Sequence, residues 1–528
     1  ALPRQLLGDA GVLADRVSGI SDGVQSLRLE AEQGIADAVT RLNSALSRLQ
    51  EINIKVIAES AGEREPGNLL DQRDVVLDEI AKLVDINVSH ASDNSVRVFT
   101  KSGLLLFDRE YVQMRFDPRG SLQPTDYYSR DPDIRRVGTI SLVSEEGGSL
   151  DLVGQGVFRS GEIAALLQLR DKDLVAAQNG LDEFAHQLAR AMSDRDVSRI
   201  TDFTGTANMA TATSKVAVAP VTNGMGVSLP AQGGGFDPVL NGDSLTLDLV
   251  IGGAQRRVSI LRSDTASPAS PLLPATTTAD PRDTVIGVPW GGSMADFAAN
   301  IQTALGAIGA GAITVTAPGT GPSRLEFVGD GTASNRVTAI DPRITAATPQ
   351  EGEAALPFFV DGGRDPNVYS GSIDGTEPQK LGLAQRLVVS PALLVDSSSL
   401  VRMNTGANPG AGDATRPNAM MDRLTRRQNT FAAVAGIGTL SAPATGTVGL
   451  LVQRVVGSMG QMSENAARVA EGQAIVVSGL EERFAASTRV NVDDEMARLI
   501  ELQQAYQASA RIITAADEMM SVLFQMMG

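Results

Sequence analysis

Two long segments with seven-residue apolar periodicity, one at each end of the 528-residue chain, constrain its fold more than any other feature. Near the start, apolar residues spaced by seven are Ala10, Val17, Val24, Ala31, Ala38, Ala45 and Ile52. Near the end, the corresponding row is Val492, Leu499, Tyr506, Ile513, Met520 and Met527. Such a repeat is typical of a helix whose apolar stripe is covered by other helices. The two ends are therefore predicted to pack together.

A second apolar row on the first helix changes register. It runs through Leu6, Leu13, Ile20 and Leu27 and then, near Gly34, moves by one position to Ile35, Leu42, Leu49 and Val56. This row thus moves from position d to position e of the seven-residue repeat. The pattern fits the seam of a coiled coil or a long helix of an ordinary bundle. Both interpretations require partner helices.

A small β region is predicted to follow the first helix. Pro66 and Gly67 end that helix, and Asn68 is a candidate N-cap for a helix over 69–84 with Asp71 in its first turn. Strand patterns then occupy 86–89, 96–100, 104–107 and 112–116. Helical periodicity returns over 162–192, with Leu167, Leu174, Leu181 and Leu188 spaced by seven.

The composition changes after Asp202, where Gly, Ala, Thr, Ser and Pro become frequent. Segments 245–251 and 256–260 flank Gly252 and Gly253, which predicts a hairpin. A short helix over 293–305, with Phe297, Ile301 and Leu305 on one face, precedes strands over 313–317 and 324–328. Regular strand patterning makes disorder the weaker interpretation, and we expect one or two β-rich domains here.

The predicted fold class is α+β multidomain: a long coiled-coil-like helical bundle built from both chain ends, with a β-rich domain inserted in the middle. Helical patterns resume near Pro417, break around 436–446 and continue over 451–484 and 491–527, where Asn491 is the N-cap of the last helix. The predicted divisions are a helical core over 1–200 with a small β region near 86–160, an inserted domain of one or two subdomains over 201–416, the rest of the core over 417–490, and a terminal assembly helix over 491–528.

Charge and composition exclude several classes of function. The net charge of −17 disfavours binding to nucleic acid or an anionic membrane, and no apolar run is long enough to span a bilayer. The absence of cysteine excludes disulfide scaffolds, thiolate metal sites and thiol catalysis. The start, Ala1-Leu2-Pro3-Arg4, has neither an initiator Met nor a signal peptide, which suggests a fragment or a processed chain.

Catalytic and metal-binding motifs are not found in the sequence. Of the two histidines, His90 follows a strand-like segment and His186 lies within a helical pattern, and a structural role is expected for both. Phosphate loops, nucleophile elbows and zinc-binding His-Glu-x-x-His segments are missing, and Asp330-Gly331-Thr332 lacks the alternating ligands of an EF loop. We therefore expect a non-enzymatic protein with no catalytic residue, no metal and no cofactor.

Three segments resemble flagellar axial proteins. The last helix, with Asn491-Val492-Asp493-Asp494-Glu495 and then Gln503, Gln504, Tyr506, Ala508 and Ala510, is similar to the C-terminal motif of that group. Segments 69–74, followed by Glu79 and Ile80, and 161–174 resemble the FlgK-type branch, the hook-associated protein 1 family. The hairpin and helix of the middle segment look like an insertion module of flagellin-related proteins. The family's N-terminal helix, with its Asn-Asn-Ile-Ala-Asn-type segment, is missing from this sequence.

The resemblance implies a structural subunit at the hook–filament junction, outside the cell, exported through the flagellar secretion channel. Implied partners are the hook protein, the second junction protein, copies of the same chain in a ring or helical layer, and an export chaperone at the C-terminal helices. The expected assembly interface is the apolar row Val492, Leu499, Tyr506, Ile513 and Met520. An internal core is the competing interpretation for each of these residues.

Three alternatives remain at this stage. One is another axial protein, either the second junction protein or a flagellin, although segment 69–74 and the long middle favour the first junction protein. Another is a surface adhesin or phage-tail-like fibre, which does not need helices pairing at both ends. The third is an enzyme carried in the middle domain, which the missing His-Glu-x-x-His segment disfavours.

Overall fold

The computed structural model describes residues 2–61, 67–143, 149–197, 199–200, 224–229, 231–265, 277–280, 282–319, 323–350, 353–374, 377–403, 413–439, 441–488, 496, 500–504 and 506–507. The chain divides into two compact units, Ala1–Met459 and Gly460–Gly528. Helices at both ends of the chain and several sheets between them confirm the predicted α+β class. In the described part of the chain, every helix is too short or too polar to cross a membrane.

The first half of the helical core is organised around one helix, α1 (Leu2–Ala61). A second helix, α2 (Gly67–Leu83), packs on its C-terminal half. Two three-stranded antiparallel sheets complete this region: β1 (Ile86–His90), β2 (Val96–Thr100) and β3 (Leu105–Phe107), then β4 (Met114–Phe116), β5 (Ile140–Val143) and β6 (Ser149–Asp151). They share a core whose centre is formed by Ile35, Leu42 and Leu49 of α1.

The helical run over 162–193 contains a π-helical turn. It consists of α3 (Glu162–Gln168), the π-helical turn Leu169–Asp173 and α4 (Leu174–Ser193). The four leucines predicted to form one row, Leu167, Leu174, Leu181 and Leu188, are all buried. One extra residue in a turn re-aims the side chains around it, and the buried side chain of Arg170 lies in this turn.

The middle of the chain forms two four-stranded sheets with a helix. The strands are β7 (Arg199–Ile200), β8 (Gly224–Ser228), β9 (Ser244–Ile251), β10 (Ala254–Arg262), β11 (Thr284–Val288), β12 (Thr314–Thr316), β13 (Arg324–Val328) and β14 (Arg336–Arg343), and the helix is α5 (Met294–Ala307). The sheet orders are β11-β10-β9-β14 and β12-β13-β8-β7. The predicted hairpin is confirmed, with Ile251 paired to Ala254. The predicted short helix is also confirmed, and the hydroxyl of Ser293 caps it by accepting from the Asp296 amide.

The segment after β14 returns to the helices. It contains β15 (Phe359–Asp361), α6 (Leu383–Arg386), β16 (Leu387–Val389), α7 (Pro391–Val395), the 3-10 helix Ser397–Leu400, α8 (Thr415–Thr425), β17 (Asn429–Thr430), the 3-10 helix Ala433–Ala435, β18 (Thr445–Gly446) and α9 (Val448–Thr488). Phe358, Leu383 and Leu393 lie in one core with α4, the first half of α1 and the start of α9. Apolar residues between Leu356 and Leu400 pack in this core, so we propose an inserted domain shorter than the predicted 201–416.

The chain leaves and returns to the helical core at adjacent points. The Arg195 amide donates to the Ile344 carbonyl at 2.7 Å, and the Ala346 amide donates to the Ser193 carbonyl at 2.8 Å. The residues between these points contribute a core of their own, centred on Leu247, Ile260 and Phe327. We propose that the inserted domain comprises about residues 197–343.

Two further predictions are corrected by the structure. Asn68 is not an N-cap, because α2 already includes Gly67 and the Asn68 side chain accepts from Gln72 Nε2 at 3.2 Å. The register change on α1 is also wrong. The buried row is continuous without a slip, and its members are Leu7, Ala14, Ser21, Arg28, Ile35, Leu42, Leu49 and Val56. The polar members Ser21 and Arg28 conceal this row in a pattern of apolar residues.

Candidate assembly surfaces

An exposed apolar row lies along the first half of α1. Leu6, Leu13, Ile20 and Leu27 were predicted to be in the seam, but they are 50%, 38%, 51% and 49% exposed. The row extends over about 31 Å, at 1.5 Å per residue. We call these four residues the α1 stripe. Large apolar side chains repeated on one exposed line are typical of an interaction surface rather than of a scattered surface composition.

The same face of α1 is polar in its second half, where other helices flank it. The positions that continue the stripe are Gly34, Arg41 and Arg48. A Cβ added at Gly34 would come within 3.2 Å of Leu166 Cδ1, so α3 approaches closely at this point. Arg41 pairs with Glu162 of α3, and Arg48 pairs with Glu79 of α2. The stripe thus occupies the part of the face that lies before these helices.

The predicted C-terminal interface lies mostly outside the described residues. This applies to Val492, Leu499, Ile513 and Met520. Tyr506 is described and is 80% exposed. Nearby, Ile500 and Leu502 are also exposed. The assignment of this row as an assembly interface therefore stays a prediction.

A buried ion pair holds the π-helical turn against α1. Arg170 Nη1 donates to Glu32 Oε2 at 2.5 Å, and both side chains are fully buried. Glu32 Oε1 also accepts from the backbone amides of Arg119 at 2.8 Å and Gly138 at 3.0 Å. Asp171 accepts a bidentate pair from the Arg170 guanidinium. Segment 161–174, which carries part of the family resemblance, therefore joins α1 to the small β region.

A polar chain continues from this ion pair along the seam. Arg28 donates to the Arg170 carbonyl and to Gln25, and both Gln25 and Ser21 donate to the Gln178 side chain at 2.9 Å. These bonds satisfy the polar side chains in the buried row, which is the condition for tolerating them in a core. The seam is held by hydrogen bonds where its apolar residues are small or missing.

Asp182 ties α4 to the loop before α6. Its carboxylate accepts from the Gly382 and Ala384 amides at 2.8 and 2.9 Å, and from Gln178. Complete burial raises the pKa of Asp182 to about 6, although these hydrogen bonds favour the ionised form. If this side chain were removed, the buried amides of Gly382 and Ala384 would lose the acceptor of their hydrogen bonds.

His186 lies in a polar cavity where α4 meets the inserted sheet. The cavity has a volume of about 150 Å³ and is also lined by Glu183, Arg190, Arg257 and Arg343. His186 Nδ1 lies 2.6 Å from the Tyr369 hydroxyl. Burial and the nearby Lys380 lower the pKa of His186 to about 3, so its imidazole is neutral at pH 7.

The charged groups around this cavity pair with one another. Arg190 Nε contacts Asp194 Oδ1 at 2.7 Å, and Arg343 Nη1 contacts Asp194 Oδ2 at 2.9 Å. Lys380 Nζ lies 2.5 Å from Glu183 Oε2. Burial is the largest single effect on Glu183 and opposes its ionisation, but Lys380 and the hydrogen bond from Gln187, with other neighbouring groups, together lower the pKa of Glu183 to about 2. Of these pairs, the one between Arg343 and Asp194 joins the inserted domain to the core.

Comparison with known protein families identifies both ends of the chain. Residues 3–200 match the flagellar hook-associated protein FlgK helical domain. Residues 484–526 match the flagellar basal body rod FlgEFG protein C-terminal model. The first match contains segments 69–74 and 161–174, and the second contains the terminal motif that starts at Asn491. The two resemblances inferred from these segments are thereby supported in the order predicted.

Curated relatives are similar to the N-terminal part. Flagellar hook-associated protein 1 of Salmonella typhimurium is 22% identical over 196 residues, which is 37% of this chain and 33% of that protein. The protein of the same name from Salmonella typhi matches with the same values. The chain therefore spans about a third of the length of the curated relatives it matches.

A solved structure, the flagellar hook junction protein FlgK from Burkholderia pseudomallei, aligns with 89% of this chain and 89% of its own. Its identity is 13% and its TM-score is 0.32. A TM-score of this size does not establish a shared overall fold.

Sequence reasoning missed the α1 stripe because it assigned those four residues to the seam. One signal in the sequence distinguishes them. Each residue of the buried row is preceded in the sequence by one residue of a second row. This second row is apolar at Leu6, Leu13, Ile20 and Leu27, and it continues as Gly34, Arg41, Arg48 and Lys55. The change of this row from apolar to basic coincides with the point where α3 and α2 begin to flank α1.

Proposed function

We propose that this chain is a non-catalytic structural subunit of the bacterial flagellum that joins the hook to the filament. The observation that carries the proposal is the pair of family matches at the two ends of one chain. A FlgK-type helical domain followed by an axial-protein C-terminal segment is the arrangement expected of a junction subunit. The exposed α1 stripe supports an assembly role, because it supplies apolar surface for contact with another protein.

The proposed partners are the hook protein, the second junction protein and further copies of this chain in a ring or helical layer. The proposed location is outside the cell, at the hook–filament junction, after export through the flagellar channel. An exposed apolar surface on an unassembled subunit promotes aggregation. This supports the further proposal that an export chaperone covers the C-terminal helices before assembly.

Electron microscopy of cells that lack this chain tests the proposal. The expected result is bare hooks, with filament subunit released into the medium, and restoration of filaments when the wild-type chain is supplied. Attached filaments at wild-type numbers in the deletion strain would contradict a junction role.

A second measurement separates this proposal from the alternative that the chain is the second junction protein or a flagellin. Hooks can be isolated from cells that lack the second junction protein. A hook-proximal subunit is expected to remain on these hooks, where an antibody against the inserted domain would detect it. Its absence from such hooks would favour one of the alternatives.

A further inference from the structure

The α1 stripe is too small to form a stable pair by itself. Its four half-exposed side chains provide on the order of 300–400 Å² of surface, whereas a stable complex buries about 800 Å² on each partner. A contact of this size is effective when many copies repeat it in one assembly. The stripe is therefore suited to a lateral contact within a layer of subunits.

The charges beside the stripe disfavour its pairing with itself. Asp9, Arg16 and Glu30 follow stripe residues by three positions, so they lie on its flank. If two copies paired antiparallel about a two-fold axis, with Leu13 of one copy against Ile20 of the other, the Arg16 side chains of the two copies would lie side by side. In a parallel pair, all three charges meet their counterparts. Like charges in contact oppose association, so the stripe fits a different surface.

A second exposed apolar feature lies at α7. Leu394 is 60% exposed and Val395 is 89% exposed. Asp396 follows directly and provides a charge opposite to that of Arg16. We call Leu394 and Val395 the α7 corner. Its apolar tip and acidic neighbour are complementary to the middle of the stripe, where Arg16 lies, whereas Asp9 and Glu30 flank the two ends of the stripe.

The segment that leads to the α7 corner binds α1 on the side opposite the stripe. Ser18 donates to the Gln385 carbonyl at 3.0 Å, and Gln385 donates to Asp22 at 2.7 Å. At 3.6 residues per turn, Ser18 and Asp22 each lie about 160° around the helix from Ile20. The segment that holds Gln385 continues through β16 into α7. A head-to-tail contact between identical subunits requires two different surfaces, and the stripe and the α7 corner are different surfaces.

From these observations we infer that the α1 stripe of one copy binds the α7 corner of the next copy in the assembled layer. This inference rests on the proposed function, because it identifies the surfaces through which copies of the chain meet. It describes a heterologous contact, which closes into a ring or continues as a helix according to the rotation between neighbours.

Cysteine cross-linking tests this contact, because the natural chain has no cysteine. The variants are Ile20→Cys, Val395→Cys and the double variant, each in the full chain in flagellated, motile cells, treated with a short bismaleimide. The double variant is expected to give a ladder of cross-linked oligomers. Each single variant is expected to stay monomeric, and cells that express both single variants are expected to give dimers only.

The matched control pairs Val395→Cys with Val75→Cys, since Val75 is 68% exposed on α2. A ladder from this control, dimers from Ile20→Cys alone, or cross-links confined to one chain or to a different protein would overturn the inference. A double variant that stays monomeric in cells with attached filaments would also overturn it. The proposed function would survive that last result, because it depends on the loss of filaments in the deletion strain.

Discussion

Arg170 and Glu32 form a fully buried ion pair between the π-helical turn and α1, with 2.5 Å between Nη1 and Oε2. Removing one member leaves the other as an uncompensated buried charge. We expect Arg170→Met to lower the free energy of unfolding by about 3–5 kcal/mol. The measurement is urea unfolding followed by helical circular dichroism.

The control is Arg41→Met, which removes an exposed ion pair between Arg41 of α1 and Glu162 of α3. Exposed pairs contribute less than about 1 kcal/mol. The double variant Arg170→Met with Glu32→Leu is expected to recover part of the lost stability, because the buried Glu32 charge is gone, whereas Asp171 still lacks its partner and the Arg119 and Gly138 amides lose their acceptor. Equal losses in Arg170→Met and Arg41→Met would show that the buried pair has no special role.

The register of α1 can be tested by two alanine substitutions. Ile35 is fully buried, so Ile35→Ala is expected to cost about 2–5 kcal/mol. Ile20 is half exposed, and Ile20→Ala is expected to cost less than about 1 kcal/mol. Thermal or urea unfolding of the two variants gives the comparison. A loss of several kcal/mol in Ile20→Ala would restore the seam assignment made from the sequence.

The neutral, buried His186 makes stability depend on pH. Its pKa is about 3 in the folded chain, against an ordinary value of 6.5 for histidine, so below about pH 6.5 the unfolded chain binds a proton that the folded chain does not. The free energy of unfolding therefore falls as the pH falls from about 6.5 towards 3. Between pH 7 and pH 5, this loss is expected to be about 1–2 kcal/mol larger in the natural chain than in His186→Gln.

Urea midpoints at the two pH values provide the test. The raised pKa values of Asp182 and Asp243 act in the opposite direction, but they are common to both proteins and cancel in the comparison. Identical pH profiles for the two proteins would mean that His186 is solvated and titrates normally.

Excision of the inserted domain is expected to leave a folded helical core. Residues 197–343 are replaced by a short Gly-Ser linker, which joins Asp196 to Ile344 and keeps the contact between Asp196 and Arg423. Helical circular dichroism and a cooperative unfolding transition are the measurements. The matched deletion of 203–416 is expected to unfold the core, because it also removes Phe358, Leu383 and Leu393. Equal behaviour of the two deletions would contradict the shorter insert.

The C-terminal row yields a prediction in cells. We expect Ile513→Asp to leave the inserted domain folded but to prevent incorporation at the hook tip, because a carboxylate cannot be buried in an apolar contact without a partner. Filament counts by electron microscopy and detection of the secreted chain give the result. A conservative Ile513→Leu variant is the control. Wild-type filament numbers in Ile513→Asp would exclude this row as the assembly element.

Local features of the fold could be predicted from the sequence because nearby residues determine them. Gly252 and Gly253 both have positive φ values, 59° and 82°, which the two-residue turn of the hairpin requires. The cap at Ser293 likewise depends on a residue three positions away. These elements need no knowledge of the rest of the chain.

Features that depend on distant partners could not be predicted. Ser21 lies in the buried row because its hydroxyl donates a hydrogen bond to the side chain of Gln178, which is 157 positions away. Residues 356–400 belong to the helical core because their apolar side chains pack on α1 and α4, although they lack helical periodicity. The α1 stripe was missed for the same reason: an apolar row is visible in a sequence, whereas its exposure among the described residues is a property of the fold.

The length of α1 has a mechanical consequence. At 1.5 Å per residue, its 60 residues extend over about 90 Å, and the two helical cores pack on successive halves of it. A sharp kink between the two cores would break backbone hydrogen bonds of this helix, whereas gentle curvature would not. A load applied to one core therefore reaches the other through one unbroken helix.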